Sequence, residues 1–181
     1  MTPLVFEESG FRIAPPDPAF RIAETAAYRA LSGRRLKEMD VGWWETLPDG
    51  RHRLLLLEVK GIKVWQTPPD NPAKPHEHLV QTCVDKATDT LLMLAGKWTA
   101  TTWGQELTKE LPVEVSVYPG DAALKLVFLI DIPTRRRELL LAVREEINSR
   151  LSGRLGIFGK QSVSIIDFES AQKMGLPITR A

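Results

Sequence analysis

The chain predicts an α/β (α+β) fold, a mixed central β-sheet flanked by helices, and three observations carry that expectation. Residues 54–57 and 124–132 are near-continuous apolar runs of strand length, as strands buried on both faces require. Leu79, Val80, Cys83, Val84, Ala87, Leu91 and Leu94 recur at helical spacing over a longer window. Strand and helix signals then alternate along 181 residues, which suits layers of helices on a sheet and one domain.

Each element follows from local chemistry. The opening is broken by Pro3, Pro15, Pro16 and Pro18 and reads as short strand or coil. Asp17 before Pro18 suits a helix cap, predicting a helix over 19–31 with Phe20, Ala23, Ala27, Tyr28 and Leu31 on one face, stopped by Ser32-Gly33. Two strands are expected over 34–47 and 51–65, joined by the turn Pro48-Asp49-Gly50. Four prolines make 66–75 a loop, and a helix follows over 76–96. Alternation predicts a strand at 113–118, and the apolar run a buried one at 124–132. Thr134 would cap a helix to 151, ended by Ser152-Gly153, with a last strand at 162–168. The core is expected over 19–132, with 134–168 adding a helix and a strand.

Bulk properties exclude more than they select. With 43% hydrophobic and 26% charged residues, the chain has material for a core. A net charge of +1 says nothing for or against nucleic acid as a partner of the whole molecule, so such a reading must rest on local patches. Residues 134–160 are one: Arg135, Arg136, Arg137, Arg144, Arg150, Arg154 and Lys160 outnumber Glu138, Glu145 and Glu146. Cys83 is the sole cysteine, which rules out an intrachain disulfide or a cysteine-built zinc site. The start has no signal-peptide pattern and no apolar run approaches about 20 residues, so a cytoplasmic protein without a membrane partner is expected.

The chemistry concentrates in the hairpin. If its turn centres on Asp49, opposed residues have numbers summing to 98, so Asp40 faces Glu58 and Glu38 faces Lys60. Opposed residues share a sheet face, and so do residues two apart. One spot would therefore collect Glu38, Asp40, Glu58 and Lys60, unless a bulge at 41–44 shifts the register. Carboxylates placed so closely repel, and a proton, a lysine or a cation must offset the charge. Mg²⁺ or Mn²⁺, which uses one or two carboxylates and keeps several waters, fits Asp40 and Glu58. Such a site could cut a phosphodiester, with Lys60 beside the developing charge.

Asp40, then Glu58-Val59-Lys60, then a helix bearing Gln81 resembles the PD-(D/E)XK nuclease superfamily, of restriction-endonuclease-like fold, although Met39 stands where proline often precedes the acid. The resemblance implies a core of helix, three-stranded meander, helix and strand. It implies Asp40 and Glu58 as metal ligands and Lys60 as the catalytic lysine. A glutamate of the first helix, here Glu24, often joins such a site, and a polar residue of the next helix, Gln81 or Lys86, completes it. The expected activity is Mg²⁺-dependent endonucleolytic hydrolysis of nucleic acid, DNA ahead of RNA, with a homodimer as one route to cutting two strands.

Two other readings stay open: a nuclease-fold binding module that has lost catalysis, such as a subunit of a DNA-processing complex, and an unrelated α+β protein with structural acids. Elsewhere, His76 and His78 form a His-x-His pair better suited to exposed positions than to a metal. Trp43 and Trp44 should point to opposite faces, one into the core, with Trp65 near them. Arg135, Arg136 and Arg137 oppose a helix dipole and read as a solvated or phosphate-facing patch.

Overall fold

Long apolar strands build the centre of the main sheet, and three-residue strands a second, small one. The computed structural model describes residues 4–31, 33, 35–62, 77–120, 123–133, 136–160 and 162–181. Among these, the main sheet holds β3 (Ala19–Phe20), β4 (Val41–Thr46), β5 (His52–Lys60), β6 (Leu124–Ile130) and β7 (Ser164–Ile166), side by side in that order. β3, β4 and β5 form an antiparallel meander, whereas β5, β6 and β7 run parallel. The small sheet pairs β2 (Phe11–Ile13) with β1 (Phe6–Glu8) on one side and β8 (Ile178–Arg180) on the other.

The helices are α1 (Ala26–Arg29), α2 (Glu77–Trp98), α3 (Thr102–Thr108), α4 (Leu139–Ile157) and α5 (Phe168–Lys173). Strand alternation sorts the core onto two faces. Leu54 and Leu56 of β5, with Leu124, Leu126, Phe128 and Ile130 of β6, pack toward the α2 and α4 side. Leu55, Leu57 and Val59 turn the other way and meet Val41, Trp43, Phe11, Ile13, Ala171 and Ile178, so the small sheet and α5 cover that face. The mixed α/β class and the helix-flanked mixed sheet are as the sequence predicts.

The hairpin register is also as predicted. Val41 pairs with Leu57, Trp43 with Leu55 and Thr46 with His52, all summing to 98, without a bulge. Asp49 Oδ1 accepts the Arg51 N–H at 3.0 Å, and Gly50 adopts a φ of 80°, which closes the turn in a left-handed conformation glycine tolerates.

Several elements differ from expectation. The first helix shrinks: residues 19–20 become β3, Ile22–Glu24 form a 3₁₀ turn, and only Ala26–Arg29 are α-helical. Sheet pairing of Ala19 with Trp43 and Phe20 with Gly42 wins over the local helix signal. β4 begins at Val41 rather than 34. Residues 113–115 are a 3₁₀ turn, not a strand: Val115 is buried while Val113 and Val117 are exposed, and the Val115 carbonyl accepts Lys97 Nζ and Trp98 Nε1. α4 runs through Ser152-Gly153, because Val143, Ile147, Leu151 and Leu155 form one buried stripe. That burial outweighs the roughly 1 kcal/mol a helical glycine costs. α2 passes Gly96 and ends at Trp98. β6 stops at Ile130 and β7 is only Ser164–Ile166. The end of the predicted strand 51–65, the loop 66–75, His76, Trp65, the Thr134 cap and Arg135 lie outside the described residues.

Candidate functional site

Asp40 sits one residue before β4, and continuing the ladder from Val41–Leu57 sets it across from Glu58. Its backbone is held from both sides. Thr90 Oγ1 of α2 accepts the Met39 N–H at 2.8 Å, and Asp89 accepts the Lys37 N–H at 2.9 Å. On the other flank, Arg21 Nε donates to the Asp40 carbonyl at 3.1 Å. The side chain is fixed too, since Asp40 Oδ2 accepts the Val59 N–H at 2.8 Å.

Glu58 and Lys60 stand two apart at the end of β5 and project toward α2, as alternation demands. Glu58 is fully buried. Lys86 reaches over from α2 and donates to Asp40 Oδ1 and to Glu58 Oε2, both at 2.9 Å. Glu58 Oε1 lies 2.6 Å from Lys60 Nζ and 2.8 Å from Lys86 Nζ. This buried oxygen is thus ion-paired to both ammoniums. Two carboxylates and two ammoniums thus meet at one point, and their formal charges cancel.

Electrostatics follow from this packing. Burial and then the charge of Asp40 push the Glu58 carboxyl up to about 7, against the pull of Lys86 and Lys60. Burial alone would lower Lys86, but Glu58 and Asp40 overcome it and hold the ammonium above the ordinary lysine range. Cys83, one turn earlier on α2, is pushed up to about 12 by burial and by Glu58, which leaves it a thiol.

The predicted residues separate into two sets. Asp40, Glu58 and Lys60 come together, and Lys86 rather than Gln81 completes the group from the helix. Gln81 lies on the exposed face of α2, donating to Asp85 at 2.6 Å and accepting from Arg150 at 3.2 Å, so it bridges α2 to α4. Glu24 is in the 3₁₀ turn, exposed and paired with Arg21 at 3.0 Å, and it reaches Asp40 only through that arginine. Glu38 lies outside the strand and near Tyr28, so it does not join the acids across from Lys60. His78 is exposed on α2. Trp43 is core on the small-sheet face, while Trp44 turns to the other side and stacks on His52. Arg137 pairs with Asp167 and with Glu169, an intramolecular role for one of the three arginines.

A second ionic cluster escapes a reading of local sequence. Asp131, just past β6, receives both guanidinium nitrogens of Arg180 at 3.0 and 3.1 Å, and its N–H donates to the Lys60 carbonyl at 2.7 Å. Asp131 and Asp167 follow β6 and β7, so acids line the same end of the parallel strands as Glu58. Only the strand order, invisible locally, brings them together.

The donor set fits a hard divalent cation in its chemistry. Asp40 and Glu58 would hold it through carboxylate oxygens, which Lys86 and Lys60 now neutralise. Among the described residues no group of three or more His, Cys, Asp or Glu forms a metal-binding cluster, so water would complete the shell, as Mg²⁺ prefers. Also among the described residues, no helix is long and apolar enough to cross a membrane. Comparison of the chain with family models, with curated proteins and with solved structures finds no match in any of the three.

Proposed function

We propose that the protein is a Mg²⁺- or Mn²⁺-dependent nuclease hydrolysing phosphodiester bonds in nucleic acid, DNA ahead of RNA, on a restriction-endonuclease-like core of the PD-(D/E)XK kind. The observation that carries this reading is the convergence of Asp40, Glu58 and Lys60 at the end of β5, with Lys86 between the acids. The antiparallel meander β3–β4–β5, followed by α2 and then β6 parallel to β5, follows the later part of the order such a core has and supports the same reading. The short α1, by contrast, lies between β3 and β4, and no helix precedes β3 among the described residues.

The roles divide by environment. Asp40, pinned by the Val59 N–H, and the buried Glu58 supply the ligand oxygens. A divalent ion bound there would polarise a phosphate oxygen and make a water acidic enough to attack at neutral pH. Lys60, which pairs with Glu58 and leaves Asp40 to Lys86, is the ammonium that would offset charge growing on the phosphate.

Incubating purified protein with plasmid, single-stranded DNA and RNA, with Mn²⁺ or with EDTA, tests this. Cleavage that needs the metal and is lost in Lys60→Ala is the expected result. A second reading, a nuclease-fold binding module without catalysis, is favoured by one observation: the two ammoniums already neutralise both acids. Folded protein that binds nucleic acid but leaves every substrate intact with Mn²⁺ would establish it instead.

A further inference from the structure

We propose that Lys86 is a displaceable counter-ion, which clamps Asp40 and Glu58 together until a divalent cation replaces its ammonium; this rests on the metal-dependent reading above. Three observations argue for it. First, one Nζ atom contacts both carboxylates, 2.9 Å from Asp40 Oδ1 and 2.8 and 2.9 Å from the two Glu58 oxygens, so it occupies the point where their charges converge. An ion shared by the two acids would have to compete for that point. Second, each acid keeps a partner other than Lys86: Asp40 Oδ2 the Val59 N–H, and Glu58 Oε1 the Lys60 ammonium at 2.6 Å. The cradle therefore persists when the ammonium leaves. Third, Lys86 is a long flexible side chain, 18% exposed, on a helix that packs on the sheet through other residues, among them Val80, Cys83, Ala87 and Leu91. It can swing to solvent without disturbing α2. Lys60 differs, because among the described residues it pairs with Glu58 and not with Asp40, and it can remain when the site is loaded.

The consequence is a site whose metal affinity is set below what its two acids could reach. Removing the positive charge of Lys86 should tighten divalent binding, whereas a residue that merely props the acids would weaken it when removed. Isothermal titration with Mn²⁺ of wild type, Lys86→Met and Lys86→Arg distinguishes these. Methionine keeps most of the stem without charge, and arginine keeps the charge. Affinity on the order of tenfold tighter in Lys86→Met, with Lys86→Arg near wild type, is expected from a unit charge a few ångströms away. Lys86→Met binding no tighter than a wild type that does bind Mn²⁺ overturns the clamp and leaves the nuclease reading standing. Failure of wild type and Lys86→Met alike to bind overturns both. Should Lys86→Met fail to fold, wild type alone decides by amine acetylation followed by mass spectrometry. Lys86 should label several-fold faster once Mn²⁺ is added, with the exposed Lys109 as internal reference. An unchanged Lys86 rate would sink the proposal.

Discussion

Asp40 is anchored by the residue next to its partner acid: its Oδ2 accepts the Val59 N–H at 2.8 Å, so β5 positions both carboxylates. This separates structure from chemistry at a single residue. Asp40→Ala leaves a buried N–H without an acceptor, which costs about 1–3 kcal/mol. Asp40→Asn can keep that acceptor while losing the charge a cation needs. Urea unfolding should therefore show Asp40→Asn closer to wild type than Asp40→Ala, while plasmid cleavage with Mn²⁺ falls at least about a hundredfold in both. Cleavage surviving in either variant removes Asp40 from the site.

Thr90 is the next test, because it holds the backbone beside Asp40 from a buried position. Its Oγ1 accepts the Met39 N–H at 2.8 Å in a buried setting. Thr90→Val conserves shape and deletes that acceptor, a loss of about 1–3 kcal/mol. If Thr90 positions Asp40, Mn²⁺ affinity falls as well, whereas Thr90→Ser retains both. Equal Mn²⁺ affinity in Thr90→Val and wild type would confine Thr90 to stability.

How much of this was legible in sequence depended on how local the determinant was. The turn at Asp49 fixes the register through Gly50 and strand alternation, so Asp40, Glu58 and Lys60 could be placed on one face by counting. Lys86 could be named only as one of two candidates, since its choice over Gln81 depends on which side of α2 meets the sheet. Periodicity points that way: Cys83 and Ala87, which flank Lys86 on the helix surface, are buried, whereas Gln81 is exposed. The small sheet was invisible, because β8 joins β2 across almost the whole chain and each strand has only three residues. α3 was missed for a related reason, its contacts being to α2 and α1 rather than to a sheet.

That α2–α3 contact makes a sharp prediction about packing. A Cβ built on Gly104 would lie 2.0 Å from the Gly96 carbonyl oxygen, a backbone atom that cannot rotate away. Gly104→Ala must push the two helices apart and should cost about 1–3 kcal/mol, the usual range for overpacking. Gly153 has open space around its Cβ position within α4, so Gly153→Ala should be neutral or stabilising by up to about 1 kcal/mol. Urea midpoints moving the same way for both would contradict this packing.

The pH dependence of stability should carry the signature of Glu58. Its carboxyl, ordinarily near 4.5, is raised to about 7 by burial and the charge of Asp40. Between those values the folded protein binds more protons at this position than the unfolded chain does. Rising pH therefore removes stability across that window and leaves it level above. Lys86, held above its ordinary value, stays an ammonium in both states there and adds no slope. Glu58→Gln removes the titration, so its stability relative to wild type should climb from pH 5 to pH 7 and then level off. The climb should be on the order of 2 kcal/mol, because a tenfold change in proton affinity is worth about 1.4 kcal/mol. Urea unfolding of the two proteins at pH 5, 6, 7 and 8, without metal, measures the difference directly. A gap that is constant with pH would mean that Glu58 is ionised throughout, with its charge fully compensated by Lys60 and Lys86.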